Sequence, residues 1–124
     1  MTVQELYAGI GGNYESAKRT LQMDKLIGKF ILKFLDDKSC ERMMTAAAEG
    51  DETGIFDGAH AMKGVCANLG LDGLSAKASA VAEAYRPGKP RTMDAAALDA
   101  ALAEIKVDYD RTIAGIQQFA GESQ

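Results

Sequence analysis

The sequence has no tryptophan, only two prolines, two cysteines, one histidine and no run of basic residues. Each scarcity removes a class of protein. Few prolines and no extended stretches of β-branched or aromatic residues argue against a sheet-based fold, and the abundance of alanine and leucine favours helices throughout. Two cysteines, Cys40 and Cys66, do not make a disulfide scaffold, and they are expected to be free thiols. Structural zinc needs four ligands, mostly Cys and His; two cysteines and one histidine with no CxxC spacing do not supply them. The net charge is −4 and lysine and arginine form no stripe, so nucleic acid is not an expected partner. No apolar run approaches the roughly 20 residues of a membrane span, and the opening MTVQELYAG lacks the basic start of a signal peptide. A cytoplasmic protein without a membrane partner is expected.

What is present is helical periodicity. The length of 124 residues suits one domain with its own core. A short helix is expected over 3–10, ended by Gly11-Gly12, and a second from an Asn13 cap to about Leu21. The cluster Gly9, Gly11, Gly12 reads as a helix stop, since it follows no strand and lacks the GK[ST] of a phosphate loop. Residues 23–36 place Met23, Leu26, Ile27, Phe30, Ile31 and Phe34 on one face. A helix over 40–49 should turn Met43, Met44 and Ala47 inward. Asp51 should cap a helix to Leu69, closed by Gly70. Residues 72–86 carry Leu74, Ala78, Val81 and Tyr85 on one side. RPGKP at 86–90 makes a loop, and residues 94–119 carry a stripe from Leu98 to Phe119. The expected fold is all-α: an antiparallel up-and-down four-helix bundle over 22–120, with residues 1–21 as a short helical extension of the same domain.

The single histidine lies in IFDGAHAMKGVCANLG, residues 55–70. With His60 at zero on a helical wheel, Val65, Gly58, Leu69, Met62, Ile55, Cys66 and Ala59 span about 140° to about 260°. That arc holds every bulky aliphatic of the helix and must face the core. His60 is on the opposite side, with Lys63, Phe56 and Ala67 at about −60°, −40° and −20°, and Gly64 and Asp57 at about +40° and +60°. A solvated face normally carries long polar chains, and glycine costs such a helix about 1 kcal/mol relative to alanine. Small residues one and two turns beyond His60 leave room for another molecule. Lys63, one turn away, can reach a charge placed on the ring, and Phe56 adds apolar surface beside it. A neutral imidazole is a nucleophile toward phosphorus, and its phosphorylated product carries about two negative charges. No nucleotide loop, acidic metal cluster or second catalytic group accompanies it, so a partner must bring the phosphoryl group and any Mg²⁺.

His60-Ala61-Met62-Lys63-Gly64, followed by Asn68-Leu69-Gly70, resembles the histidine-containing phosphotransfer (HPt) domain, and the resemblance extends over roughly residues 22 to 120. It implies that His60 accepts a phosphoryl group on Nε2 from the aspartyl phosphate of a receiver domain and passes it to another receiver. Lys63 would steady the phosphate and Gly64 would leave space for the receiver, whose acidic pocket holds Mg²⁺; the chain has no cofactor of its own. Response-regulator receivers, a hybrid histidine kinase or both are the implied partners of a monomeric, stand-alone phosphocarrier without kinase activity. Val65 and Cys66 stand where the family commonly has alanine or serine, and Ala61 is smaller than the residue often found there; all three bear on packing more than on transfer. Asp57 and Ala67 complete the expected docking face. Leu32, with Gly28 and Leu35, lies off the main face of its helix: it either packs under the N-terminal helices or extends the docking face. Two other readings are a helical scaffold or inhibitor that binds a receiver or kinase without carrying phosphate, and the phosphoacceptor piece of a larger histidine kinase.

Overall fold

The computed structural model describes residues 1–122 and is all-helical over that range. Its elements are α1 (Val3–Ile10), α2 (Tyr14–Leu21), α3 (Asp24–Lys33), a 3₁₀ turn (Phe34–Asp36), α4 (Ser39–Glu49), α5 (Glu52–Asn68), α6 (Asp72–Ala84) and α7 (Ala95–Glu122). Local chemistry sets the ends. Thr2 and Glu5 form a reciprocal capping box on α1, the Asn13 side chain accepts from Ser16 N–H, and Asp51 accepts from Gly54 N–H at 3.0 Å. Each satisfies a backbone donor that the first turn leaves unpaired.

The hydrophobic core draws on every α-helix, with Tyr7, Ile27, Ile31, Met43, Met62, Val81, Ile105 and Ile116 fully or almost fully buried. α5 is the central element for the site. It packs along α4 on one side and α6 on the other. Gly58 permits the first of these contacts: a Cβ there would sit 2.6 Å from the backbone nitrogen of Met43. Such an approach is open only to a residue without a side chain.

The N-terminal helices are tied to the far end of α5. The Tyr7 hydroxyl donates to the Leu69 carbonyl at 2.6 Å in the interior, and Asn13 N–H donates to the Gly70 carbonyl at 2.7 Å. Gly70 adopts φ 70° and a Cβ there would run into the Asn13 carbonyl, so glycine is required both by conformation and by space. Burial pushes the Tyr7 hydroxyl well above the usual tyrosine range, because a phenolate would be costly in that apolar setting.

All the expected helices stand, α1 and α2 at their expected limits and the others with ends moved by at most three residues. The 23–36 segment divides into α3 and the 3₁₀ turn. Three members of its expected apolar face are outside the core: Met23 is 51% exposed, Phe30 37%, and Leu26 is half-buried. Met23 is the N-cap residue with extended backbone, so helical spacing does not apply to it. Phe30 lies at the edge of the stripe centred on Ile27, Ile31 and Phe34. In α4, Met43 is buried as expected; Met44 and Ala47 are half-buried, and Cys40 and Ala46 complete the inner face. Cys40 and Cys66 are free and buried. Desolvation pushes their thiols up to about 11 and about 12 respectively, so neither is a ready nucleophile.

Candidate functional site

The buried face of α5 is Ile55, Gly58, Ala59, Met62 and Cys66, continued by Leu69. The helix is held by this face against α4 and α6, so its opposite side faces out. His60, Asp57, Gly64 and Ala67 are all exposed there, while Phe56 and Lys63 are half-buried at its margin. A Cβ on Gly64 would meet nothing within 4 Å. Its missing side chain therefore serves no internal packing, in contrast with Gly58 on the same helix.

Phe56 and His60 are one helical turn apart and their rings stack, with centroids 5.3 Å apart and planes 19° from parallel. The Arg86 guanidinium lies 5.2 Å from the centre of the Phe56 ring. Arg86 is held in turn by Glu83, through bonds of 2.5 Å from Nη2 and 3.2 Å from Nε. Those hydrogen bonds hold the Glu83 carboxyl below its usual range, with further help from the charges of Arg86, Lys63 and Lys89. Arg86 and Glu83 are therefore a charge pair at the site margin, with Lys63 and Lys89 near enough to act on the carboxylate.

Lys63 is positioned through its backbone. The Ser75 hydroxyl of α6 donates to the Lys63 carbonyl at 3.0 Å. Among the described residues no carboxylate comes within ion-pair distance of the Lys63 ammonium. Its charged neighbour of consequence is Glu83, which it influences from beyond ion-pair distance and which is itself bonded to Arg86. No hydrogen bond from Asp57 or Asn68 reaches His60 among the described residues.

Leu32 does not join this group. It lines a hollow with Met1, Thr2, Val3, Gly28 and Phe119, none of them on α5, and it packs against the core. Gly28 lies within van der Waals distance of Val3 and Phe119. Where α3 approaches the exposed side of α5 it presents Phe30 and Lys33 instead. These line an apolar groove with Thr20, Leu21, Phe34, Val65, Asn68 and Leu69. Sequence reasoning put Phe30 in the core and so missed this groove; its edge position on the wheel was the available signal. It also read Arg86 only as the start of a loop. Arg86 is 26 residues from His60, and no local spacing could bring the two together.

The protein thus presents its one histidine on the outward face of α5, with Lys63 one turn away and open space at Gly64. The chain matches the family model described as the Hpt domain over residues 31–112, and it belongs to that family. Hpt domains act in histidine phosphotransfer within phosphorelays and interact with receiver domains and histidine kinases. The matched region runs from α3 into α7 and contains the whole of α5. No curated protein and no solved structure matches the chain. Among the described residues no helix is long and apolar enough to cross a membrane.

Proposed function

We propose that this protein is a phosphocarrier in which His60 takes a phosphoryl group from the aspartyl phosphate of one receiver domain and gives it to the aspartate of another. The observation that carries this reading is the outward face of α5: a lone exposed His60, an ammonium at Lys63 that makes no ion pair among the described residues, and open space at Gly64. In the forward step the lone pair of His60 Nε2 attacks phosphorus. The P–O bond to the receiver aspartate breaks and its carboxylate leaves with the bonding pair. The proton on Nδ1 stays where it is, and no cofactor of the chain takes part. The transferred phosphoryl group carries about two negative charges; the ring that keeps its Nδ1 proton balances one of them, and Lys63 partly offsets the rest. The reverse sequence onto a second receiver aspartate completes the transfer.

The receiver supplies Mg²⁺ from its own acidic pocket. Gly64 and Ala67 let it approach, and Phe56 and Asp57 border the contact. The groove beside Phe30 extends the same apolar face. The chain works as a cytoplasmic, monomeric phosphoprotein without kinase activity, one domain in which residues 1–21 extend an antiparallel four-helix bundle over 22–120.

The test is to mix the protein with receiver domains charged with labelled phosphate, beside a His60→Gln variant and a sample given ATP alone. Label that survives alkali and is lost in acid is expected on the wild type only. Receivers that bind without delivering label would support a scaffold or inhibitor that uses His60 for recognition alone.

A further inference from the structure

An exposed histidine on a helix ordinarily samples several side-chain rotamers. A phosphoryl acceptor benefits from one, because in-line attack requires the nitrogen to point at phosphorus. Here the ring has a neighbour that selects an orientation. Phe56 lies one turn before His60, its ring nearly parallel to the imidazole. Phe56 is itself restrained: it is half-buried, packs against the core, and carries the Arg86 guanidinium over its ring. Arg86 gains its own restraint from the two-point contact with Glu83. A planar guanidinium is suited to both roles at once, stacking on an aromatic face while its N–H edge binds a carboxylate.

We infer that Phe56, braced by Arg86 and Glu83, is a positioning device that holds the His60 imidazole in the orientation needed for phosphoryl acceptance. The inference rests on His60 being the phosphoacceptor. Its parts come from two places in the fold, α5 and the residues that close α6, so the loop after α6 acts on a ring it does not touch. Glu83 and Arg86 need not contact the phosphate for this role.

The test uses a small donor, so that receiver docking plays no part. Potassium phosphoramidate phosphorylates histidine directly: Nε2 attacks phosphorus, the P–N bond breaks, and ammonia leaves with a proton from solvent. Because His60 is the only histidine, its two ring C–H proton signals can be followed without ambiguity. In the wild type these should be displaced by the Phe56 ring current. Phe56→Leu keeps the bulk but removes the ring, and should return the signals toward those of free histidine. Labelling should slow by about threefold, the number of χ1 wells the released ring can share. Phe56→Tyr should restore both readouts, and Arg86→Ala should slow labelling in the same direction.

Unchanged labelling in Phe56→Leu, whatever its spectrum, would overturn the positioning role, as would failure of a folded Phe56→Tyr to restore it. If Phe56→Leu does not fold, Arg86→Ala at the surface decides: an unchanged rate and unchanged ring signals would overturn the inference. A wild type that phosphoramidate labels with the stack intact, but that no receiver phosphate labels, would instead count against the receiver-relay reading and leave the positioning device standing.

Discussion

Gly58 and Gly64 sit six residues apart on one helix and do opposite things. At Gly58 an added Cβ would press on the Met43 backbone, whereas at Gly64 it would meet open space. Gly58→Ala should therefore destabilise the fold by about 1 to 3 kcal/mol, the usual range for overpacking, with the loss seen in denaturant unfolding. Gly64→Ala should be neutral or stabilising by up to about 1 kcal/mol from helix propensity. Gly64→Gln should fold normally yet slow transfer from a receiver about tenfold or more, which a clash of only about 1.4 kcal/mol accomplishes. An unfolded Gly64→Gln, or one with an unimpaired rate, would contradict the account of that face. The contrast was legible before any coordinates, because the wheel already put Gly58 with the aliphatics and Gly64 with His60. The nearness of Phe56 to His60 was legible in the same way, from spacing along one helix; that the two rings lie nearly parallel was not. Arg86 was not legible, since it reaches Phe56 through the packing of α6 on α5.

At the scale of elements, α3 shows where periodicity loses its power. Ile27, Ile31 and Phe34 are buried as their spacing demands. The two flanks of the stripe are not equivalent, however, because each meets a different neighbour. One flank, with Gly28 and Leu32, lies against the start of α1 and Phe119. The other, with Phe30 and Lys33, opens toward Val65 and Asn68 on α5; the Lys33 ammonium lies over the Phe30 ring at 5.2 Å. A single wheel cannot tell these flanks apart. The two residues therefore separate by experiment. Leu32→Ala should lower stability by about 1 to 2 kcal/mol, less than a fully buried leucine would lose, and leave receiver affinity unaltered once the sample is folded. Phe30→Ala should do the reverse, with near-native stability and weaker receiver binding by titration calorimetry. Weakened binding in a fully stable Leu32→Ala would instead extend the docking face to that side.

At the scale of the molecule, α4 and α6 hold α5 by its inner face, and α1 and α2 secure its end through Tyr7 and Asn13. The all-helical class and the sequence limits of nearly all helices followed from capping residues and apolar spacing, which act locally. The ties from Tyr7 to Leu69 and from Asn13 to Gly70 span most of the chain's first half, and no local rule foretells them. The His60 ring projects from a helix whose other side is buried in the core, and burial pushes the two thiols within that core up to about 11 and about 12.

The most direct measurement of the central claim is a two-step relay. The protein is labelled by a phosphorylated receiver, separated from that donor, and mixed with a second, unlabelled receiver in the presence of Mg²⁺. The account predicts that label leaves His60 and appears on the second receiver's aspartate, and that His60→Gln breaks the chain at the first step. Failure of every receiver that binds the protein to place label on His60, with the fold intact, would contradict it.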